Sequence, residues 1–148
     1  MRFILLPPVV MVLIAGAMLA LDRFLPLFHL WGAPYSWAGY FFIAGGLAIA
    51  NWHARLFKKL GTNINTFGEP GKITREGLFR VSRNPMYLGF VTTLAGVAVL
   101  LGAASPFLAV AGFALLTHYW YIPFEERAML QKFGQEYTDY QHSVRRWL

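Results

Sequence analysis

Glu125 and Glu126 stand side by side directly after Pro123 and Phe124, at the end of a long apolar stretch. Paired carboxylates at such a boundary are costly to bury and need partners. Beside Tyr119, Trp120, Tyr121 and Phe124 they suit a cation or a hydroxyl-bearing ligand. An acidic first turn that complements the dipole of a following helix explains the pair equally well. A second concentration of chemistry lies upstream, in residues 61–86. Gly68, Gly71 and Gly77 permit turns with positive φ, and Pro70 and Pro85 fix φ near a turn and near a helix start. Arg83, just before Pro85, sets a guanidinium beside the N–H groups of that helix start. Together they can bind a carboxylate or a phosphate, unless the segment is simply a structured connector.

Several chemistries are excluded. With no cysteine there is no thiol nucleophile, disulfide framework or thiolate metal site. His29, His53, His118 and His142 show no H-x-x-x-H spacing and no carboxylate cluster joins them, so no metal is expected. There is no phosphate-binding G-x-x-x-x-G-K-S/T loop, no G-x-G-x-x-G and no G-x-S-x-G elbow.

The elements that must position these residues are apolar. The chain is 148 residues long, 57% hydrophobic and only 14% charged, too apolar for an ordinary soluble domain, and its length suits one domain over residues 1–148. Residues 3–21 carry no charge, and at ~1.5 Å per residue the run spans roughly 28 Å, close to the hydrocarbon thickness. Its length, with Pro7 and Pro8 inside it, favours a retained span over a cleaved signal peptide. A second span is expected over about 34–52, with Trp31, Trp37 and Trp52 near its ends. A third over 86–104 and a fourth over 107–124 are separated only by Ser105 and Pro106, which forces an antiparallel hairpin. The expected fold class is therefore all-α, a polytopic membrane protein of about four transmembrane helices with a cytoplasmic amphipathic C-terminal helix.

Charge orients the spans. Of 13 basic residues, Arg23 alone falls on the outer side. Arg2, the seven between Arg55 and Arg83 and the four between Arg127 and Arg146 fall on the inner side. Both termini are expected in the cytoplasm, in a bacterial inner membrane. The net charge of +6 is thus matched to lipid, not to nucleic acid. In the tail, Leu130, Phe133, Tyr137, Tyr140, Val144 and Trp147 recur at spacings of three and four, one face of a helix that Gly134 can interrupt. That helix lies on the membrane or packs beneath the spans.

Two ordered motifs carry a resemblance. GLFRVSRNPMYLG over residues 77–89, followed by EERAMLQKFGQEYTDYQHSVRRW over residues 125–147, resembles the isoprenylcysteine carboxyl methyltransferase and phospholipid methyltransferase superfamily. Gly77, Arg83, Pro85, Tyr87, Gly89, Glu125, Glu126, Leu130, Phe133, Gly134, Tyr137 and Tyr140 match its pattern. The resemblance implies a membrane-embedded enzyme that binds S-adenosylmethionine at the cytoplasmic face and takes a lipophilic or lipidated acceptor from the bilayer. It also implies a cofactor site lined by Gly71, Lys72, Ile73, Thr74, Phe79, Arg83, Asn84, Pro85, Met86, Tyr87 and Glu125. The chain departs from the pattern at Asn84, where His is frequent, at Phe79, where Tyr is usual, and at Tyr121, where the prenylcysteine enzymes place an Arg. A carboxylate acceptor needs no general base, whereas an amine or thiol would draw on Glu126 or His118. The reading from another class is a non-catalytic membrane module whose basic loop and tail bind anionic lipid or a partner protein.

Overall fold

The computed structural model describes residues 6–61 and 71–148, so the expected turns at Gly68 and Pro70 and the first residues of the first span lie outside the described residues. Among the described residues the regular structure is helical. The main helices are α1 (Pro7–Phe24), α2 (Ala38–Lys59), α3 (Pro85–Leu101), α4 (Ser105–Leu116), α5 (Ile122–Phe133) and α6 (Gln135–Ser143). Short 3₁₀ turns at Tyr35–Trp37 and Gly77–Arg80 precede α2 and α3. A π-helical stretch, Thr117–Tyr121, joins α4 to α5 without a break, giving one helix of 29 residues from Ser105 to Phe133.

That helix and α1 are long and apolar enough to cross a membrane. Val12, Leu13 and Leu19 on α1, and Leu108 and Leu115 on α4, turn outward with more than half of their surface exposed. So large an apolar exterior suits a lipid environment. The chain is a helical membrane protein. Proline stands in the first turn of α1, α3 and α4, where its missing N–H costs no helical hydrogen bond.

α2 and α3 are antiparallel, and glycine lets their backbones touch. A Cβ added at Gly46 would stand 2.5 Å from the Gly89 carbonyl oxygen, and one at Gly89 would stand 2.7 Å from that of Gly46. About two helical turns along, Gly39 and Gly96 oppose each other in the same way. Small residues at a helix interface maximise van der Waals contact where lipid offers no hydrophobic drive. The remaining core is aliphatic and aromatic: Met18 of α1, Phe90, Leu94 and Ala98 of α3, Phe113 of α4 and Ile122 of α5. At the end of the bundle where α3 turns into α4, Leu30 N–H donates to Gly102 O (2.7 Å), Ala104 N–H to Phe28 O (3.0 Å) and Trp31 Nε1–H to Val99 O (2.8 Å). These bonds tie the first connection onto the turn between α3 and α4.

The tail is not one amphipathic helix. Gly134, at φ 53°, ends α5, and Val144, at φ −133° and ψ 136°, is extended, so the spacing from Leu130 to Trp147 crosses three segments. Tyr137, Tyr140 and Val144 nevertheless share one small core with Ile73, Met129 and Phe133, while Trp147 packs against the main core.

Because the α2–α3 neighbours at Gly89 are backbone atoms that cannot swing away, Gly89→Leu is expected to destabilise the protein by about 3 kcal/mol, the upper end of overpacking costs. A Cβ at Gly45 meets nothing within 4 Å, so Gly45→Leu should leave the thermal unfolding midpoint in detergent nearly unchanged.

Candidate active site

The site is built where α3 begins and the π-helical stretch passes into α5. Glu126 is buried there and both its oxygens are occupied. Arg83 donates to Oε1 from Nη2 (2.9 Å) and Nε (3.3 Å), and Arg146 donates to Oε2 from Nη2 (2.6 Å) and to Oε1 from Nε (3.3 Å). Arg83 also gives Nη1 to the carbonyls of Gln141 (2.9 Å) and Val144 (2.7 Å), at the C-terminal end of α6 where carbonyls lack helical partners. Four contacts therefore engage the fork of Arg83, whose side chain is only 11% exposed, whereas that of Arg146 is 32% exposed.

The extended tail completes this clasp. Arg83 N–H donates to Arg145 O (2.9 Å), Asn84 Nδ2 to Arg146 O (2.9 Å), and Ser82 Oγ lies 3.5 Å from the same carbonyl. Asn84 is itself oriented by its N–H, which donates to Ser82 Oγ at 3.1 Å. On the other side, α2 holds the 3₁₀ turn. The buried His53 donates from Nδ1 to Ile49 O (2.8 Å) and accepts Leu78 N–H at Nε2 (3.2 Å). An acceptor on one nitrogen and a donor on the other fix this ring as the Nδ1–H tautomer. Phe79 stacks on Phe57 at 5.0 Å and meets the His53 ring edge-on at 5.3 Å, and its carbonyl accepts Tyr140 Oη–H at 2.8 Å.

Glu125, the neighbour of Glu126, serves a different partner. Tyr87 Oη donates to its Oε1 at 2.8 Å, and the Tyr87 ring stacks on the buried Tyr121 at 6.1 Å. One carboxylate thus closes a salt-bridged clasp and the other heads an aromatic shelf.

The sequence-derived residues separate accordingly. Arg83, Asn84, Pro85, Tyr87, Glu125 and Glu126 converge, with Pro85 buried at the start of α3 and Met86 half-buried beside it. Ile73 joins the Tyr137–Tyr140 core and Thr74 is buried, its hydroxyl accepting Glu76 N–H at 3.3 Å, while Gly71 and Lys72 are exposed. Phe79 lies on the α2 side of the turn. His118 stands apart, its Nδ1 accepting Trp147 Nε1–H at 3.0 Å. The roles of Ser82, His53 and Arg146 were not read from sequence. The adjacent Arg145 and Arg146 were a signal for Arg146, because a buried acid requires nearby cations.

Burial raises both tail tyrosines. The Tyr140 hydroxyl is pushed up to about 12, against the lowering effect of Arg83 and Arg75. The Tyr137 hydroxyl moves in the same direction, by burial and then by the charge of Glu126.

A model of the phospholipid methyltransferase family matches residues 35–136. Protein-S-isoprenylcysteine O-methyltransferase B of Arabidopsis thaliana is 34% identical over 79 residues, 51% of this chain and 39% of the relative. Protein-S-isoprenylcysteine O-methyltransferase A of the same plant is 37% identical over 84 residues, 55% of this chain and 41% of the relative. An uncharacterized protein of Haemophilus influenzae is 38% identical over 63 residues, 43% of this chain and all of its own length. The chain thus spans about two fifths of the plant relatives it matches. No solved structure gives a significant match.

Two predictions follow from the clasp and the tyrosines. Removing one partner of a buried ion pair strands the other, so Arg83→Leu should cost about 3–5 kcal/mol and Arg146→Leu, at the more exposed arm, about 1 kcal/mol, by thermal unfolding in detergent. A folded-state pKa above the unfolded value of about 10 gives stability present below pH 10 and lost as pH rises toward 12. Unfolding midpoints scanned upward from pH 9 should therefore fall, with a shallower decline in Tyr140→Phe.

Proposed function

The chain belongs to the phospholipid methyltransferase family, and from that premise we propose that it is a single-domain, four-span membrane enzyme using S-adenosylmethionine at the cytoplasmic face. In this reading α2 and α3 are spans alongside α1 and the 29-residue helix. The acceptor is a lipophilic molecule drawn from the bilayer. One observation carries the reading: Tyr87 on the first motif meets Glu125 on the second at 2.8 Å, at the foot of the apolar helices.

The residues suit the cofactor's two ends. A sulfonium is attracted to a carboxylate and to aromatic faces, which Glu125, Tyr87 and Tyr121 offer together. α3 starts without a side-chain cap, so the Met86 N–H of its first turn suits the cofactor's carboxylate. Arg83 is better understood as the frame for that turn, since its fork is engaged by Glu126 and two carbonyls. Gly71, Lys72, Ile73, Thr74, Phe79, Asn84 and Pro85 complete the proposed lining.

When bound, S-adenosylmethionine supplies an electrophilic methyl group whose departure leaves the bonding pair on sulfur. The protein's share is alignment and exclusion of water. A general base needs a lone pair to receive the proton. Glu126 has both oxygens engaged by guanidinium donors, and His118 has Nδ1 engaged by an indole N–H. An acceptor already ionised at neutral pH fits this arrangement, and among a carboxylate, a thiol and an amine the carboxylate meets that condition. The plant relatives are named as O-methyltransferases, which supports the same choice.

Glu125→Gln is expected to abolish binding of S-adenosylmethionine while the protein stays folded in detergent. Unchanged affinity by calorimetry would remove Glu125 from the site. Labelled S-adenosylmethionine supplied with a prenylated cysteine, a long-chain thiol or phosphatidylethanolamine vesicles should label the carboxylate. A protein that binds no cofactor but binds anionic vesicles in a salt-sensitive way would instead be a lipid-binding module.

A further inference from the structure

His118 and Trp147 form a pair that the clasp does not require. Their rings are nearly parallel, 13° apart with centroids at 6.5 Å, and Trp147 Nε1–H donates to His118 Nδ1 at 3.0 Å. An indole nitrogen can only donate, so Nδ1 carries a lone pair and the ring's proton sits on Nε2. Trp147 is in turn immobilised. It packs against the main core, and the preceding Arg146 is anchored by its side chain to Glu126 and by its carbonyl to Asn84.

The two inner histidines are therefore held in opposite tautomers. His53 has both nitrogens engaged, as expected of a structural ring. At His118 the Nε2–H meets no acceptor among the described residues. The ring is half-buried within the π-helical stretch, beside Tyr119 and Trp120, which are 71% and 44% exposed. An oriented N–H donor beside exposed aromatic rings suits a ligand that brings an oxygen to it.

We propose that His118 donates Nε2–H to an oxygen of the acceptor's polar head, and that Trp147 is the positioning residue that fixes the ring for this task. The ligand chemistry is an anionic or ester oxygen on an amphiphile, not an ammonium. The acceptor's involvement rests on the methyltransferase reading, whereas the tautomer does not.

Nitrogen NMR of the full chain labelled with ¹⁵N-histidine, in maltoside micelles, reads both parts. His118, assigned by the signal lost in His118→Gln, should show the Nε2–H tautomer while His53 shows Nδ1–H. Trp147→Phe keeps a stacked ring but removes the donor, and should leave His118 a mixture of tautomers. Dodecanoate should move the Nε2 signal and dodecyltrimethylammonium should not. Half-saturation by dodecanoate is expected to weaken roughly fivefold in Trp147→Phe, the scale of one neutral hydrogen bond. A response to dodecanoate, with or without one to dodecyl phosphate, supports the proposal. A response to dodecyl phosphate alone would assign the donor to lipid headgroups and overturn the acceptor role. An Nδ1–H tautomer at His118, or equal or absent responses to the carboxylate and the ammonium, would overturn it altogether. If wild type transfers no methyl group yet passes these tests, the methyltransferase reading has failed and the donor site stands.

Discussion

Burying Glu126 is the constraint from which the half of the molecule around the start of α3 follows. A carboxylate taken out of water is tolerated only when its lone pairs are filled by charged donors, and Glu126 uses two arginines from distant segments of the sequence. Arg83 precedes α3, and Arg146 lies three residues from the end of α6, so one acid on α5 fixes the start of α3 and the course of the tail together. Such a cluster is weak evidence for net stability, because desolvation offsets much of the attraction. Its contribution is register: other pairings of these segments would bury an uncompensated charge.

The second grip comes from the apolar half. Glycines at positions 46 and 89 bring α2 and α3 into backbone contact, which sets where the C-terminal end of α2 must be. That end carries His53, which takes Leu78 N–H, and Phe57, which stacks on Phe79. The stretch from Gly77 to Asn84 is thereby held from α2 on one side and from the tail on the other. A turn clamped twice presents the start of α3 and Tyr87 in one geometry.

How much of this was legible follows from the range of each signal. Hydropathy and one-sided charge are summed over many residues, and they indicated a helical membrane chain. They placed the second run's end at residue 52, although α2 continues to Lys59, because a helix keeps its backbone bonds where its side chains turn polar. The tail's regular spacing predicted one helix face that Gly134 can interrupt. The positive φ at Gly134 and the extended Val144 broke it into segments that still share a core, since tertiary packing rather than periodicity brings Tyr137, Tyr140 and Val144 together. The two motifs named Arg83, Glu125 and Glu126 as important. Spacing alone could not assign the partners of Glu126, because Arg146 reaches it only through the fold of residues 134–145.

The π-helical stretch explains why two adjacent carboxylates have different duties. Pro123 has no N–H and its ring would clash with the carbonyl four residues back in a regular helix, and the wider turn over Thr117–Tyr121 relieves that conflict. The extra residue accommodated there changes the phase of everything after it. Tyr121 and Glu125, four residues apart, both meet Tyr87 on α3, whereas His118 and Glu126 both meet the tail, at Trp147 and Arg146. Neighbours on a helix are about 100° apart, so whichever face receives the aromatic shelf, the next residue is turned away from it. The chain uses that rotation to keep side by side an acid that binds two arginines and an acid that meets Tyr87, with neither able to replace the other.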